Sequence, residues 1–274
     1  MKNGSNKNAD TLIADMKRRN VSIEKRGNGQ RAKPFIFTKI PRTASESMHG
    51  ILKQGVFDYV RINQANHAKV FYSNPLYSHV NVCHNHTPVA ALLREKCLTK
   101  TEFKRRFSFT FIRNPWARII SVWNLLNSWE QAGKKTLVQG KSLNEFAVSL
   151  RSSRYAKTRP CSLRFYLTSH QWSWAYPEFS FVGRYEQIDK DWPAVCKAIG
   201  IDLSLSRHTK MYSKTEEMKK PPAERLSQEA ADAIHEVYKE DCFIGGYDSV
   251  GSSCNIDSDE ILSRSKKVWE SKLR

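Results

Sequence analysis

The order of strand-like and helical patterns predicts an α/β fold. Two strand–turn–helix units carry this reading, at residues 34–54 and 107–129, and each turn is rich in groups that bind phosphate. A third strand candidate at 179–183 is followed by a helical pattern at 191–199. At 274 residues the chain is long enough for a well-buried core, and α/β folds often reach this length as one domain.

In the first unit Phe35, Ile36 and Phe37 lead a β-prone run that Pro41 closes, which reads as a buried strand. Over 45–54 Met48, Ile51 and Leu52 share one helical face. Residues 56–82 are mixed, and short strands and loops are expected there. At 87–97 Pro88 suits a first helical turn, and Val89, Leu92 and Leu93 recur at helical spacing. The clearest strand is 107–112, where Phe107, Phe109 and Phe111 alternate with Ser108 and Thr110. Asn114 is then a good N-cap and Pro115 is well placed at the first helical position. The long helix that follows sets Trp116, Ile119, Ile120, Trp123 and Leu126 on one face.

Residues 130–160 read as a basic, polar insertion with a short helix at 143–150. The helix at 191–199 stops at Gly200. A basic loop is expected at 206–220 and a helix at 223–238. The chain thus divides into a weakly ordered basic N-terminal segment (1–31), a main domain (32–250) and a peripheral C-terminal tail (251–274).

Lys and Arg number 45 against 27 Asp and Glu, a net charge of +18. Such an excess points to an anionic partner: a nucleotide, an acidic glycan, nucleic acid or an acidic membrane surface. No apolar run approaches the length that spans a bilayer, and the polar N-terminus lacks the apolar core of a secretory signal, so a cytoplasmic protein is expected. The six cysteines contain no CxxC pair and are expected to be free thiols. Cys83, His84 and His86 lie close together, but no second ligand pair has finger-like spacing, and no metal site is expected.

The first turn reads Lys39-Ile40-Pro41-Arg42-Thr43-Ala44-Ser45-Glu46-Ser47. A strand feeds a tight turn and the turn feeds a helix, so free N–H groups converge beside three hydroxyls and one fixed positive charge. It resembles a phosphate cradle, although the GxxxxGK[ST] pattern is absent. In the second unit Arg113 ends the strand and Ser121 lies in the second helical turn, where the two can hold one anionic group between them.

Together these units resemble the sulfotransferases that use 3′-phosphoadenosine 5′-phosphosulfate (PAPS), in particular the carbohydrate and bacterial branch that includes heparan sulfate 2-O-sulfotransferase. Pro41-Arg42-Thr43-Ala44-Ser45-Glu46-Ser47 is similar to that family's PKTAGTS or PKTASTS loop. The run Phe109 to Ser121 is similar to its F-x-F-V-R-N-P-x-x-R-x-x-S segment. Asn85 to Val89 resembles its K-H-A-T-A stretch. Gln171 with Phe181 to Glu186 resembles its Q…FVGRFE block, and Tyr238 to Cys242 with Gly246-Tyr247 resembles its closing Y-x-E-D…GY.

The resemblance implies a central parallel sheet flanked by helices, with PAPS across the C-terminal ends of the strands and PAP as the product. It implies in-line sulfuryl transfer to a hydroxyl or amine without a metal. Arg42, Thr43, Ala44, Ser45 and Ser47 would surround the 5′-phosphosulfate, Arg113 and Ser121 the 3′-phosphate, and Lys210 would lie in a loop over the nucleotide. His86 is the candidate base, because a histidine titrates near neutral pH, and Glu186 is an alternative whose block match favours a structural role. Arg42 stands where the family has lysine. It can grip phosphate but cannot donate a proton, since its pKa is above ~12. Lys39 is either its substitute or a surface lysine. Glu46 replaces a usual Thr; it either turns outward and supports the first helical turn or marks a loop that no longer binds the full donor. Arg118 falls near the 3′ segment in a position where a solvated helix face is common. Trp172, Trp174 and Tyr176 suit either core packing or stacking on a sugar.

The acceptor reads as an anionic glycan or a small hydroxylated metabolite. The alternative is a non-catalytic nucleotide- or polyanion-binding protein on the same fold. A specific nucleic-acid binder lacks a reading element, and a nucleotide kinase lacks both the Walker A pattern and an evident magnesium-binding set.

Overall fold

The computed structural model describes residues 23–24, 29–56, 59–62, 81–152, 168–205, 220–252 and 255–273. Within them six strands form one sheet: β1 (Ile23–Glu24), β2 (Phe35–Lys39), β3 (Tyr59–Ile62), β4 (Asn81–Asn85), β5 (Phe107–Ile112) and β6 (Phe181–Arg184). Their spatial order is β1-β3-β4-β2-β5-β6. Five strands are parallel, and the two-residue β1 is antiparallel at the edge beside β3. From central β2 the chain moves out to β3 and returns through β4, and then crosses β2 to reach β5. The C-terminal ends of β2, β4 and β5 therefore border a topological switch point, where open α/β sheets bind ligands.

α1 (Ser45–Gly55) follows β2, and α2 (Val89–Arg94) and α3 (Lys100–Lys104) lie between β4 and β5. α4 (Pro115–Gln131) follows β5 and precedes α5 (Leu143–Ser149), while α6 (Ile188–Ile199) follows β6. α7 (Pro222–Arg225), α8 (Gln228–Val237), α9 (Lys239–Gly245) and α10 (Ser258–Leu273) follow among the described residues.

Alternation along the strands creates two cores, because successive side chains point to opposite faces. Phe35, Phe37, Phe109 and Phe111 pack on one side with Met48 and Leu52 of α1 and Trp192 of α6. The Phe37 and Phe109 rings stack at 4.9 Å. Ile36, Ile40, Val82 and Ile112 face the other side, against Leu92, Trp116, Ile119 and Ile234. On that second face Thr110 Oγ1 donates to the Thr38 carbonyl at 2.8 Å, while the buried Thr38 hydroxyl has no hydrogen-bond partner. At β6 the sheet admits only glycine, since a Cβ on Gly183 would lie 2.3 Å from the Phe111 ring.

Several boundaries differ from the sequence reading. β6 begins at Phe181 rather than 179, because Phe179 N–H closes a turn onto the Tyr176 carbonyl. The helix expected over 87–97 spans only Val89–Arg94, and Lys96 then turns left-handed at φ 53°. The helix expected over 223–238 is two helices, because Leu226 is extended and the Ser227 hydroxyl caps α8 by accepting from Ala230 N–H. The tail expected to be peripheral carries α10, whose Ile261 and Val268 are buried in the larger core. Two contacts bind this tail to β6: Ser258 Oγ accepts from Val182 N–H at 2.9 Å, and Arg184 Nη1 donates to the Ile256 carbonyl. Trp174 is buried, and Trp172 and Tyr176 meet Trp269 of α10 edge-on, so this aromatic group is core rather than a sugar platform.

Candidate active site

Residues 40–45 turn the chain from β2 into α1 with Arg42 and Ala44 both left-handed, at φ 68° and 59°. Ala44 is the N-cap, and no side chain caps the first-turn N–H groups of α1, which have no partner within the helix. Thr43 Oγ1 and Ser45 Oγ both donate to the Ile40 carbonyl, at 2.9 and 2.8 Å. Their hydroxyl hydrogens are thus spent on bracing the turn, and its backbone N–H groups remain as the donors an anion would meet. Ser47 stands in the first turn of α1.

The second unit locks onto the first. Arg42 Nε donates to Ser121 Oγ at 2.9 Å across 79 residues of sequence. Arg113 Nη1 donates to the Arg42 carbonyl at 3.1 Å, and its guanidinium lies 4.1 Å from the centre of the Tyr185 ring. Arg118, which sequence left as a candidate for a solvated face, is fully buried and donates Nε to the Pro41 carbonyl at 3.1 Å. Its spacing carried the signal, since residues 114, 118 and 121 share one side of a 3.6-residue helix.

A further layer fixes Arg113. Gln171 accepts from Arg113 N–H at 2.9 Å and donates to the Arg113 carbonyl at 2.7 Å. The Asp241 carboxylate in turn accepts from Gln171 and Trp172 N–H groups. Glu186 accepts from Asn114 N–H and from Tyr247 hydroxyl, both at 2.8 Å, which makes it a brace rather than a base. Gln171, Asp241 and Tyr247 all fall in the short blocks quoted above, though nothing in those blocks alone says what the residues hold.

His86 follows β4 with φ 58°, and its Nδ1 lies 3.2 Å from the Lys39 carbonyl. A carbonyl only accepts, so this contact puts the proton on Nδ1 and the lone pair on Nε2. Burial, reinforced by the Lys39 charge, pulls the His86 pKa down to about 4. Lys39 is no surface residue: it is fully buried, with Nζ 2.5 Å from Glu46 Oε1. Burial lowers its pKa, and Cys83 and Glu46 only partly offset that. Burial pushes the Glu46 carboxyl up, but the Lys39 ammonium outweighs it and holds the group below its ordinary range. Glu46 is thus half-exposed and paired with the buried Lys39 ammonium. Next to this pair, His49 Nδ1 is 2.9 Å from the Tyr59 hydroxyl, and Arg61 Nη1 is 3.5 Å from His49 Nε2.

The structure therefore gathers Arg42, Thr43, Ala44, Ser45, Ser47, Arg113 and Ser121 around one turn, with His86 tied to it through Lys39. Lys210 lies outside the described residues. Among the described residues, no group of three or more His, Cys, Asp or Glu side chains is arranged to hold a metal ion, and no helix is long and apolar enough to cross a membrane. A model of the sulfotransferase family matches residues 30–248. The chain belongs to the sulfotransferase family. No curated protein and no solved structure matches it significantly. Membership supports sulfuryl transfer in general. In this sulfotransferase the loop lysine and threonine of the family pattern are Arg42 and Glu46.

Proposed function

We propose that the protein transfers a sulfuryl group from PAPS to a hydroxyl of a carbohydrate or another hydroxylated acceptor, anionic glycans included. One observation carries the reading: Arg42, Ser121 and Arg113 converge on an uncapped helix N-terminus, and Arg113 Nε there is buried without a hydrogen-bond partner. A buried guanidinium N–H left unpaired is costly, and a phosphate oxygen would satisfy it. The residues fit the donor: the turn at 41–45 and the first turn of α1 for the 5′ end, and Arg113 with Ser121 for the 3′-phosphate. When bound, PAPS supplies a sulfuryl group on a phosphate leaving group, whose sulfur–oxygen bond breaks as the bond to the acceptor oxygen forms. His86 accepts the acceptor's proton at Nε2, and the Lys39 carbonyl holds the ring in the required tautomer. The resemblance to the carbohydrate branch supports a sugar hydroxyl, and the net charge of +18 supports an acidic one.

Calorimetric titration with PAP tests the donor site. Wild type is expected to bind, and Arg113→Ala to bind about tenfold more weakly or worse, a loss of about 1.4 kcal/mol. Folded wild type that ignores PAP would remove the PAPS reading. PAP binding without transfer to any of a broad acceptor panel would favour a non-catalytic nucleotide-binding protein.

A further inference from the structure

The turn at 40–45 holds its arginine on one side. Arg42 Nε points to Ser121 on α4, while Arg118 and Arg113 hold the carbonyls of Pro41 and Arg42 and so fix the backbone from which that side chain departs. The side of the turn that faces His86 carries a different cation. Lys39 ends β2, its carbonyl receives the His86 ring, and its ammonium is buried against Glu46. An ammonium has three donors and Glu46 Oε1 engages one of them. The Glu46 side chain is 48% exposed, so it is placed to leave, whereas Lys39 is not exposed at all. Lysine also differs from arginine in the property that matters at a leaving oxygen, because its pKa shifts readily on burial and it can donate a proton. The pKa of Lys39 is already lowered by burial.

We propose that Lys39, rather than Arg42, is the cation at the sulfuryl end of the donor site, and that Glu46 is its resident counter-ion, which the donor's sulfonate replaces. The inference rests on the PAPS reading above. Arg42 then serves the nucleotide end with Ser121 and Arg113. The two departures from the family pattern become parts of one arrangement: the transfer-side charge comes from the strand end, and a carboxylate keeps that buried charge compensated until the donor arrives. A buried ammonium with no counter-ion is costly, which gives the carboxylate at 46 a physical reason.

PAPS and PAP differ by the sulfonate alone, so their affinities measured side by side without acceptor isolate the sulfuryl end. Calorimetry on Glu46→Gln is expected to show PAPS bound about tenfold more tightly than by wild type, with PAP changed much less. Lys39→Met is expected to lose any preference for PAPS over PAP, while Arg42→Ala weakens both ligands and leaves their ratio near the wild-type value. Glu46→Gln retains Lys39 and gives a result even where Lys39→Met fails to fold. An unchanged PAPS-to-PAP ratio in Glu46→Gln, or a ratio that collapses in Arg42→Ala instead, would overturn the assignment. Wild type that binds neither ligand would instead remove the PAPS reading on which it stands.

Discussion

His86 meets two demands that a solvent-facing histidine does not. Its tautomer is set by a backbone carbonyl, and its protonated form is disfavoured by burial and by Lys39. The imidazole is therefore neutral at every pH well above 4. The acidic limb of kcat/KM, which reports the free enzyme, is expected near pH 4 rather than at the ordinary histidine value. His86→Ala should cut turnover about 10²- to 10⁴-fold while PAP affinity holds. A parallel loss of PAP binding in that variant would reassign His86 to donor binding. Much of this site was legible from residue order. The run from Phe109 to Ser121 pointed to Arg113 and Ser121, and the turn after β2 pointed to residues 41–47; the structure brings the two segments together. Lys39 and Arg118 were not settled by sequence, because whether a Lys at a strand end or an Arg within a helix is buried depends on what packs over it.

At the scale of elements, the strands were read most reliably where phenylalanines and isoleucines alternate. β2 and β5 are buried on both faces, and little in their surroundings competes with that pattern. Helix ends were less legible, since caps decide them. A single hydroxyl on Ser227 splits one expected helix, and left-handed Lys96 truncates another. The contact between β5 and β6 gives a stability prediction. Gly183→Ala would drive a methyl into the Phe111 ring, which is packed in turn against Phe109 and Phe181. Overpacking of this kind costs about 1–3 kcal/mol. Thermal melts should show a lower Tm for Gly183→Ala, and Phe111→Leu in the same background should recover part of it. A Tm equal to wild type would show that the Phe111 ring moves aside freely.

The whole molecule stores several histidines in neutral form. Burial lowers the pKa of His49 to about 4, of His84 to about 3 and of His86 to about 4. Unfolded, each titrates near 6.5, so below that pH the unfolded chain binds more protons than the folded one. The sign follows: stability from these groups is present above pH 6.5 and is lost as pH falls toward 4, by about 1.4 kcal/mol per pH unit for each proton taken up on unfolding. Urea unfolding at pH steps from 8 to 4 should show the free energy falling in that window, and His84→Gln, where it folds, should shallow the slope. A flat profile down to pH 5 would mean these rings stay solvated. The length and the two strand–turn–helix units anticipated a single α/β body, but the part played by the last helix was not visible in its polar sequence.

That helix also has a bearing on how copies of the protein meet one another. Among the described residues β6 is an edge strand, and a parallel sheet edge offers unpaired N–H and C=O groups to any passing strand. Here Ser258 Oγ receives Val182 N–H, and the Ile256 carbonyl receives the Arg184 side chain. Among the described residues the opposite edge is the two-residue β1. The C-terminal segment thus acts as a selvedge on the weave, and a chain cut short before residue 255 would present an open β6 edge and be prone to stick to its own kind.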